Sequence, residues 1–246
     1  MSVVIVIPSR MASTRFPGKP LCDLVGKPMV QWVYEAAVRS GLTDRIVVAT
    51  PDQEIVEACS QFGAETILTS DVHPSGTDRI AEVATKISAD VYVNIQGDEP
   101  LVNANDIRAC AQPLLAESTV SMGSVMADCP EHEEDNHAVV KVVTDLEGFA
   151  LYFSRHAIPF ARNERIRPLK KHIGLYAYTG LALRAFSTWK QTPLEVAESL
   201  EQLRFLEHGL RIKMSQGTGS AFGVDTPEQA EAVRKLIEAG HVSDLA

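Results

Sequence analysis

The first apolar run, Val3–Ile7, is continuous, rich in β-branched residues and stopped by Pro8, the pattern of a strand buried on both faces. Residues 27–40 then place Met29, Val30, Val33, Tyr34, Ala37 and Val38 on one helical stripe closed by Gly41. Residues 45–49 read as a strand, residues 52–62 as a helix closed by Gly63, and Glu65–Leu68 as a short strand. A helix over 78–87 and a strand over 91–95 follow. Strand and helix alternate regularly, which predicts right-handed βαβ units around a mostly parallel sheet.

The rhythm changes after about residue 120. Residues 120–126 and 139–143 look like strands with no long helix between them, and a turn over 144–148 leads into a hairpin strand, Ala150–Ser154. Residues 171–179 are strand-like and residues 194–208 form one helical pattern. A short strand over 211–215, a glycine-rich loop and a last helix with Thr226 as N-cap and Pro227 at its first position complete the chain. The expectation is an α/β fold in a single domain, with a mostly parallel, helix-flanked sheet and a mixed insertion near residues 125–185.

The chain has 246 residues, and its 45% hydrophobic and 22% charged content is that of a globular protein. A net charge of −9 argues against a nucleic-acid partner, which needs Lys and Arg to displace counterions. It leaves room for a small anion if cations gather locally. Cys22, Cys59, Cys110 and Cys129 are far apart and lack metal or disulfide spacing, which predicts reduced packing thiols. The N-terminal apolar run is too short for a leader or membrane span, so a soluble, cytoplasmic protein with no membrane insertion is expected.

Parallel sheets bind ligands beyond the carboxyl ends of their strands. After the first strand, residues 8–20 carry Arg10, Arg15 and Lys19 with Ser13, Thr14 and Gly18, and no acid. Such a loop suits a polyphosphate, although a solvated basic loop has the same composition, and its spacing fits neither a Walker loop nor GxGxxG. Gln96, Gly97, Asp98 and Glu99 follow the strand over 91–95. A carboxylate there suits Mg²⁺ beside phosphate oxygens; a helix N-cap is the competing use, which Asn103 or Asn105 can serve instead. Asp225 precedes the last helix and is open to the same two readings.

In order along the chain stand VIPSRMASTRFPGKPL, HPSGTDR, NIQGDEP, VKVV, ALYFSRHAIPF, KHIGLYAY, ESLEQLR and GVDTPEQ. Together they resemble the 3-deoxy-manno-octulosonate cytidylyltransferases over essentially the whole chain. The resemblance implies a Rossmann-like nucleotidyltransferase fold, a homodimer, and a Mg²⁺-dependent reaction of CTP with the sugar acid Kdo. The products would be CMP-Kdo and pyrophosphate, serving lipopolysaccharide or capsule synthesis. By motif, Arg10, Ser13, Arg15 and Lys19 would contact the triphosphate, and Ser75, Gly76, Arg79 and Gln96 the cytidine. Asp98 and Asp225 would hold the metal and, with Lys19, carry the catalysis.

The same resemblance places Arg155, His172, Tyr176, Glu201 and Gln202 around the acceptor sugar. Arg155 offers a fork for a carboxylate but is equally suited to a surface ion pair, and a lone histidine such as His172 is more often an ordinary packed or exposed residue than a ligand. Glu198, Glu201 and Gln202 would share one face of a continuous helix. The chain departs from the family pattern at Ser9, Met11 and Phe16, in residues 216–223, and in the basic loop over 160–171. Two alternatives stand beside Kdo: another sugar acid, such as an amino-substituted octulosonate, and an inactive CTP-binding regulator.

Overall fold

The computed structural model describes residues 1–73, 75–219 and 222–240. In chain order the first half runs β1 (Val3–Pro8), β2 (Asp23–Leu24), β3 (Lys27–Pro28), α1 (Met29–Ser40), β4 (Ile46–Thr50), α2 (Gln53–Gln61), β5 (Glu65–Leu68), α3 (Gly76–Lys86), β6 (Val91–Asn94) and α4 (Ala104–Ala116). The second half runs β7 (Met122–Asp128), β8 (Lys141–Thr144), β9 (Ala150–Ser154), β10 (Lys170–Thr179), α5 (Gly180–Phe186), α6 (Pro193–Glu198), α7 (Gln202–Glu207), β11 (Lys213–Gln216) and α8 (Pro227–Glu238).

The main sheet has the order β11-β7-β10-β6-β1-β4-β5, with the β8–β9 hairpin attached to β10. β1 pairs in parallel with β4 on one side and with β6 on the other. Chain progression therefore reverses at β1, and the crevice at its carboxyl end is the place where α/β sheets take ligands. β10 is antiparallel to both neighbours, β6 and β7, which makes the sheet mixed.

Alternation along β1 sends Ile5 and Ile7 to a core shared with α1, α2 and α4. Val4 and Val6 face the opposite core, built with α3, α5 and α7 and filled by Phe153, Phe186 and Phe205. A third cluster joins Leu24, Met29 and Trp32 to Ala230 and Val233 of α8, and the Trp32 indole donates to the Leu24 carbonyl at 2.8 Å. This cluster docks the last helix against the start of the chain.

Three expectations need correction. Val38, expected on the buried stripe of α1, is 52% exposed, while Ala36 is buried. The first helix starts at Met29 because residues 27 and 28 pair with 24 and 23 in a small hairpin. The continuous helix expected over 194–208 is two short helices, broken where Ser199 takes φ 53°. The last helix does begin with a Thr226–Gln229 capping box and Pro227 in its first turn. All four cysteines are free thiols. Among the described residues no helix is long and apolar enough to cross a membrane.

β7 approaches α4 so closely that a Cβ on Gly123 would stand 2.5 Å from the Cys110 carbonyl oxygen. Gly123→Ala is expected to destabilise the protein by about 1–3 kcal/mol, read as a lower urea midpoint with an unchanged slope.

Candidate active site

A cleft of about 700 Å³ opens at the carboxyl end of β1. Its walls are the loop after β1, the start of α3, the turn after β6 and the segment before α8. Each wall has a local cause. Gly18 is left-handed (φ 73°) and turns the first loop back, so that its N–H reaches the Met11 carbonyl at 3.0 Å. Met11 N–H donates to Asp52 just before α2, which anchors the loop's base. A Cβ on Gly97 would lie 2.5 Å from Ser9 Oγ and 2.6 Å from the Pro8 carbonyl oxygen, so only glycine lets the turn after β6 close on β1.

Lys19 is the centre of the charge. Its Nζ lies 2.5 Å from Asp98 Oδ2 and 3.1 Å from Asp225 Oδ1, and Arg15 pairs with Asp225 Oδ2 at 2.9 Å. The Val224 N–H donates to the Asp98 carbonyl at 2.8 Å, which ties the two acid-bearing segments together. Asn103 caps α4 through Asn105 N–H, so Asp98 has no capping duty and points into the cleft. Asp225 N–H is taken by Gln229. Two carboxylates thus converge on one positive charge, the donor set that a divalent cation needs beside phosphate oxygens. Among the described residues no group of three or more His, Cys, Asp or Glu could hold a metal unaided.

The remaining cleft residues divide by availability. Arg10 is exposed at the rim. Ser13 Oγ accepts Phe16 N–H at 3.3 Å and braces the loop. Ser75 caps α3 by accepting Asp78 N–H at 3.2 Å, and Gly76 packs on Pro8. The eleven-residue helix α3 aims its N-terminal N–H groups at the cleft, an arrangement that favours anions. Arg79 is only 3% exposed and donates to the Ser70 carbonyl at 2.9 Å and to Thr69 Oγ1. Burial and the neighbouring Arg10 charge lower its pKa. Gln96 and Gly97 line the floor.

Beside the cleft lies a second polar region on the face of the sheet carrying Asn94 and Tyr176, which are directly opposed across β6 and β10. Tyr176 Oη donates to Gln202 Oε1 at 3.2 Å, and Thr77 Oγ1 donates to Glu201 Oε2 at 2.7 Å. Thr77 follows Ser75 and Gly76, so this region shares a wall with the cationic cleft. Burial raises the pKa of Glu201 against the hydrogen bonds from Thr77 and Ser75, and burial also raises that of Tyr176.

His172 is half-buried, with Phe153 edge-on and Tyr176 tilted against it, and its Nε2 meets Ser124 Oγ at 3.0 Å. Burial lowers its pKa to about 3, so at neutral pH it is an uncharged wall behind Tyr176. Arg155 is not drawn into the cleft; its guanidinium donates to the carbonyls of Glu198, His137 and Ser199. The helical face expected to unite Glu198, Glu201 and Gln202 does not exist. The break at Ser199 sends Glu198 to Ser154 and Arg155, and Glu201 and Gln202 to Thr77 and Tyr176.

Two residues carry no role in the sequence reading. Asn94 Oδ1 is buried without a partner, as is Gln202 Nε2 nearby in the same region. Glu99 Oε2 is likewise unpartnered, and burial, reinforced by Asp98 and Asp106, raises the Glu99 pKa to about 8. Glu99 is visible as the acid after Asp98, but nothing in the string indicates that Asp98 lines the cleft while the Glu99 carboxylate lies beside Gly174 of β10.

The packed His172 has a thermodynamic consequence. Its folded pKa lies below the unfolded value, so the unfolded chain binds the extra proton as pH falls from about 6.5 toward 3. The stability its neutral form contributes is complete above the unfolded pKa and is lost toward acid. Relative to His172→Asn, wild-type protein should lose urea resistance between about pH 7 and pH 4.

Comparison with known proteins shows the family of the chain. The cytidylyltransferase family profile covers residues 4–212. The 3-deoxy-manno-octulosonate cytidylyltransferase of Geobacter metallireducens is 45% identical over 95% of this chain and 96% of its own. The Pseudomonas fluorescens enzyme of the same name is 47% identical over 96% and 98%. A solved CMP:2-keto-3-deoxy-manno-octonic acid synthetase complexed with CTP superposes with a TM-score of 0.94 at 40% identity, covering 98% of this chain and all of that one. A Leptospira borgpetersenii cytidylyltransferase, 17% identical with a TM-score of 0.67, shares the fold. The chain belongs to the cytidylyltransferase family, among the 3-deoxy-manno-octulosonate cytidylyltransferases.

Proposed function

We propose that the protein couples CTP to the sugar acid Kdo, forming CMP-Kdo and pyrophosphate. The observation that carries this reading is the convergence of Lys19, Asp98 and Asp225 at the mouth of β1, beside a buried polar wall. Transfer to a phosphorus asks the protein chiefly for positioning and charge neutralisation. Arg10, Arg15 and Lys19 would spread over the triphosphate and meet the charge that grows on departing pyrophosphate. Ser13 would shape their loop, while Ser75, Gly76, Arg79 and Gln96 would seat the cytidine. When bound, a divalent cation such as Mg²⁺ would be held by Asp98 and Asp225 and would neutralise phosphate oxygens.

The acceptor sugar would lie against Tyr176, Glu201 and Gln202, with His172 behind them and Arg155 at the edge of the same wall. Its anomeric hydroxyl would attack the α-phosphorus in line with the leaving pyrophosphate. The unpartnered Asn94 Oδ1 and Gln202 Nε2 favour a polyhydroxy acceptor, because hydroxyls both donate and accept. A nucleotide-activated sugar acid is the form a glycosyltransferase consumes, consistent with lipopolysaccharide or capsule assembly in the cytoplasm. A homodimer is part of this reading, supported by Phe160 and Ile166, which are 89% and 95% exposed in the loop before β10. Sedimentation at micromolar concentration tests it.

Pyrophosphate release from CTP with a panel of sugar acids tests the reaction itself. Release with Kdo is expected, whereas release only with an amino-substituted acid would move the substrate, and CTP binding without release would favour a regulator. Within the active enzyme, Asp225→Asn should lower kcat by about a hundredfold and change the KM for CTP by no more than a few-fold. A loss confined to CTP binding would remove Asp225 from the proposed metal role.

A further inference from the structure

The sequence between 194 and 208 contains no glycine or proline that would break a helix before Gly209, yet α6 stops at Glu198 and α7 restarts at Gln202. Between them Ser199 takes φ 53° and ψ 52°, a left-handed conformation that a non-glycine residue holds only when its surroundings enforce it. The enforcing contacts come from the end of β9. Arg155 Nε donates to the Glu198 carbonyl at 2.7 Å, Nη2 to the Ser199 carbonyl at 3.3 Å, and Nη1 to the His137 carbonyl at 3.0 Å. These carbonyls include the ones that α6 leaves unpaired at its C-terminus.

Arg155 is itself held from behind. Its N–H donates to Glu198 Oε2 at 3.0 Å, and its carbonyl accepts from Lys141 Nζ at 2.8 Å. Lys141 is fully buried and also donates to the Asn136 and Val139 carbonyls. This accounts for the VKVV string, which the nucleotide chemistry leaves without a role. On the inner side, the buried Arg204–Glu195 pair fastens α7 to α6. The break is therefore fixed on both sides, and its product is the aim of Glu201 at Thr77 and of Gln202 at Tyr176.

We propose that Arg155 and the left-handed Ser199 form a clamp that aims Glu201 and Gln202 at the acceptor sugar. Arg155 is then a positioning residue rather than the partner of the sugar carboxylate. The proposal rests on the acceptor wall described under the proposed function. Lys141 supports the clamp by fixing the Arg155 backbone.

Full-length wild type, Arg155→Met and Ser199→Val are compared in two measurements. In pyrophosphate release, both variants should raise the KM for Kdo about tenfold or more and leave the KM for CTP within about twofold. In hydrogen exchange of the sugar-free enzyme, both should accelerate exchange across Gln202–Glu207. Arg155→Lys, which offers one nitrogen in place of three, should show the same defects and serves if Arg155→Met does not fold. The clamp is overturned if the Arg155 variants weaken Kdo use while sugar-free exchange stays at wild type and Ser199→Val behaves normally, because Arg155 then acts by touching the sugar. It is also overturned if KM for CTP rises in step with KM for Kdo. Absence of turnover in wild type with every sugar acid would instead reject the acceptor reading, with the exchange data still deciding the clamp.

Discussion

One lysine holds the site together. Lys19 is 79 residues from Asp98 and 206 from Asp225, and its ammonium joins three segments that no local interaction would bring together. Its Nζ also reaches the Val224 carbonyl at 3.3 Å. Partly exposed ion pairs contribute modestly to stability, so this contact matters less as glue than as a gauge of position. Without a cation between them, Asp98 and Asp225 would repel, and the Val224–Asp98 backbone hydrogen bond and the third apolar cluster would hold the segment before α8 against that repulsion. An arrangement in which two acids already share one positive charge is prepared to share a different one.

The rest of the fold delivers these segments. β1 lies in the middle of the sheet with chain progression reversing beside it, so its loop opens into a crevice rather than onto a helix. Gly97 lets the neighbouring turn touch Pro8 and Ser9, and the third apolar cluster draws α8 against the opening hairpin. A net charge of −9 is compatible with polyanion binding because Arg10, Arg15 and Lys19 are concentrated on one short loop, where Asp98 and Asp225 pair with two of them.

Much of this is legible in the chain because it is written locally. Periodicity marks the alternating strands and helices of the first half, and Thr226 followed by Pro227 marks the start of the last helix. The cation loop and the acid after β6 stand out because they follow strand ends. What stays hidden is whatever depends on distant contacts. The split of α6 from α7 has no signal at Ser199, since the carbonyl clamp comes from β9 more than forty residues earlier. Val38 reads as part of the apolar stripe, yet the buried face of α1 runs through Val30, Val33, Ala36, Ala37 and Ser40 and leaves Val38 exposed. The strings themselves cannot tell that His172 packs against Phe153 and Tyr176, or that Asp98 lines the cleft and Glu99 does not.

The antiparallel strand in the middle of the sheet sets the order in which the protein can be built. β10 is made long after β6 and β7, yet among the described residues it is the only strand that pairs with both. Until it inserts, the partly formed sheet exposes two open edges, each able to pair with another chain. Contacts of such long sequence separation close slowly, because the loop entropy is lost before the pairing is gained. Tyr176 and His172 arrive on this same strand. A nascent chain could therefore assemble its cationic loop early, but the Tyr176 side of the wall beside it only when the sheet is sealed, so that no complete pocket precedes a sealed sheet.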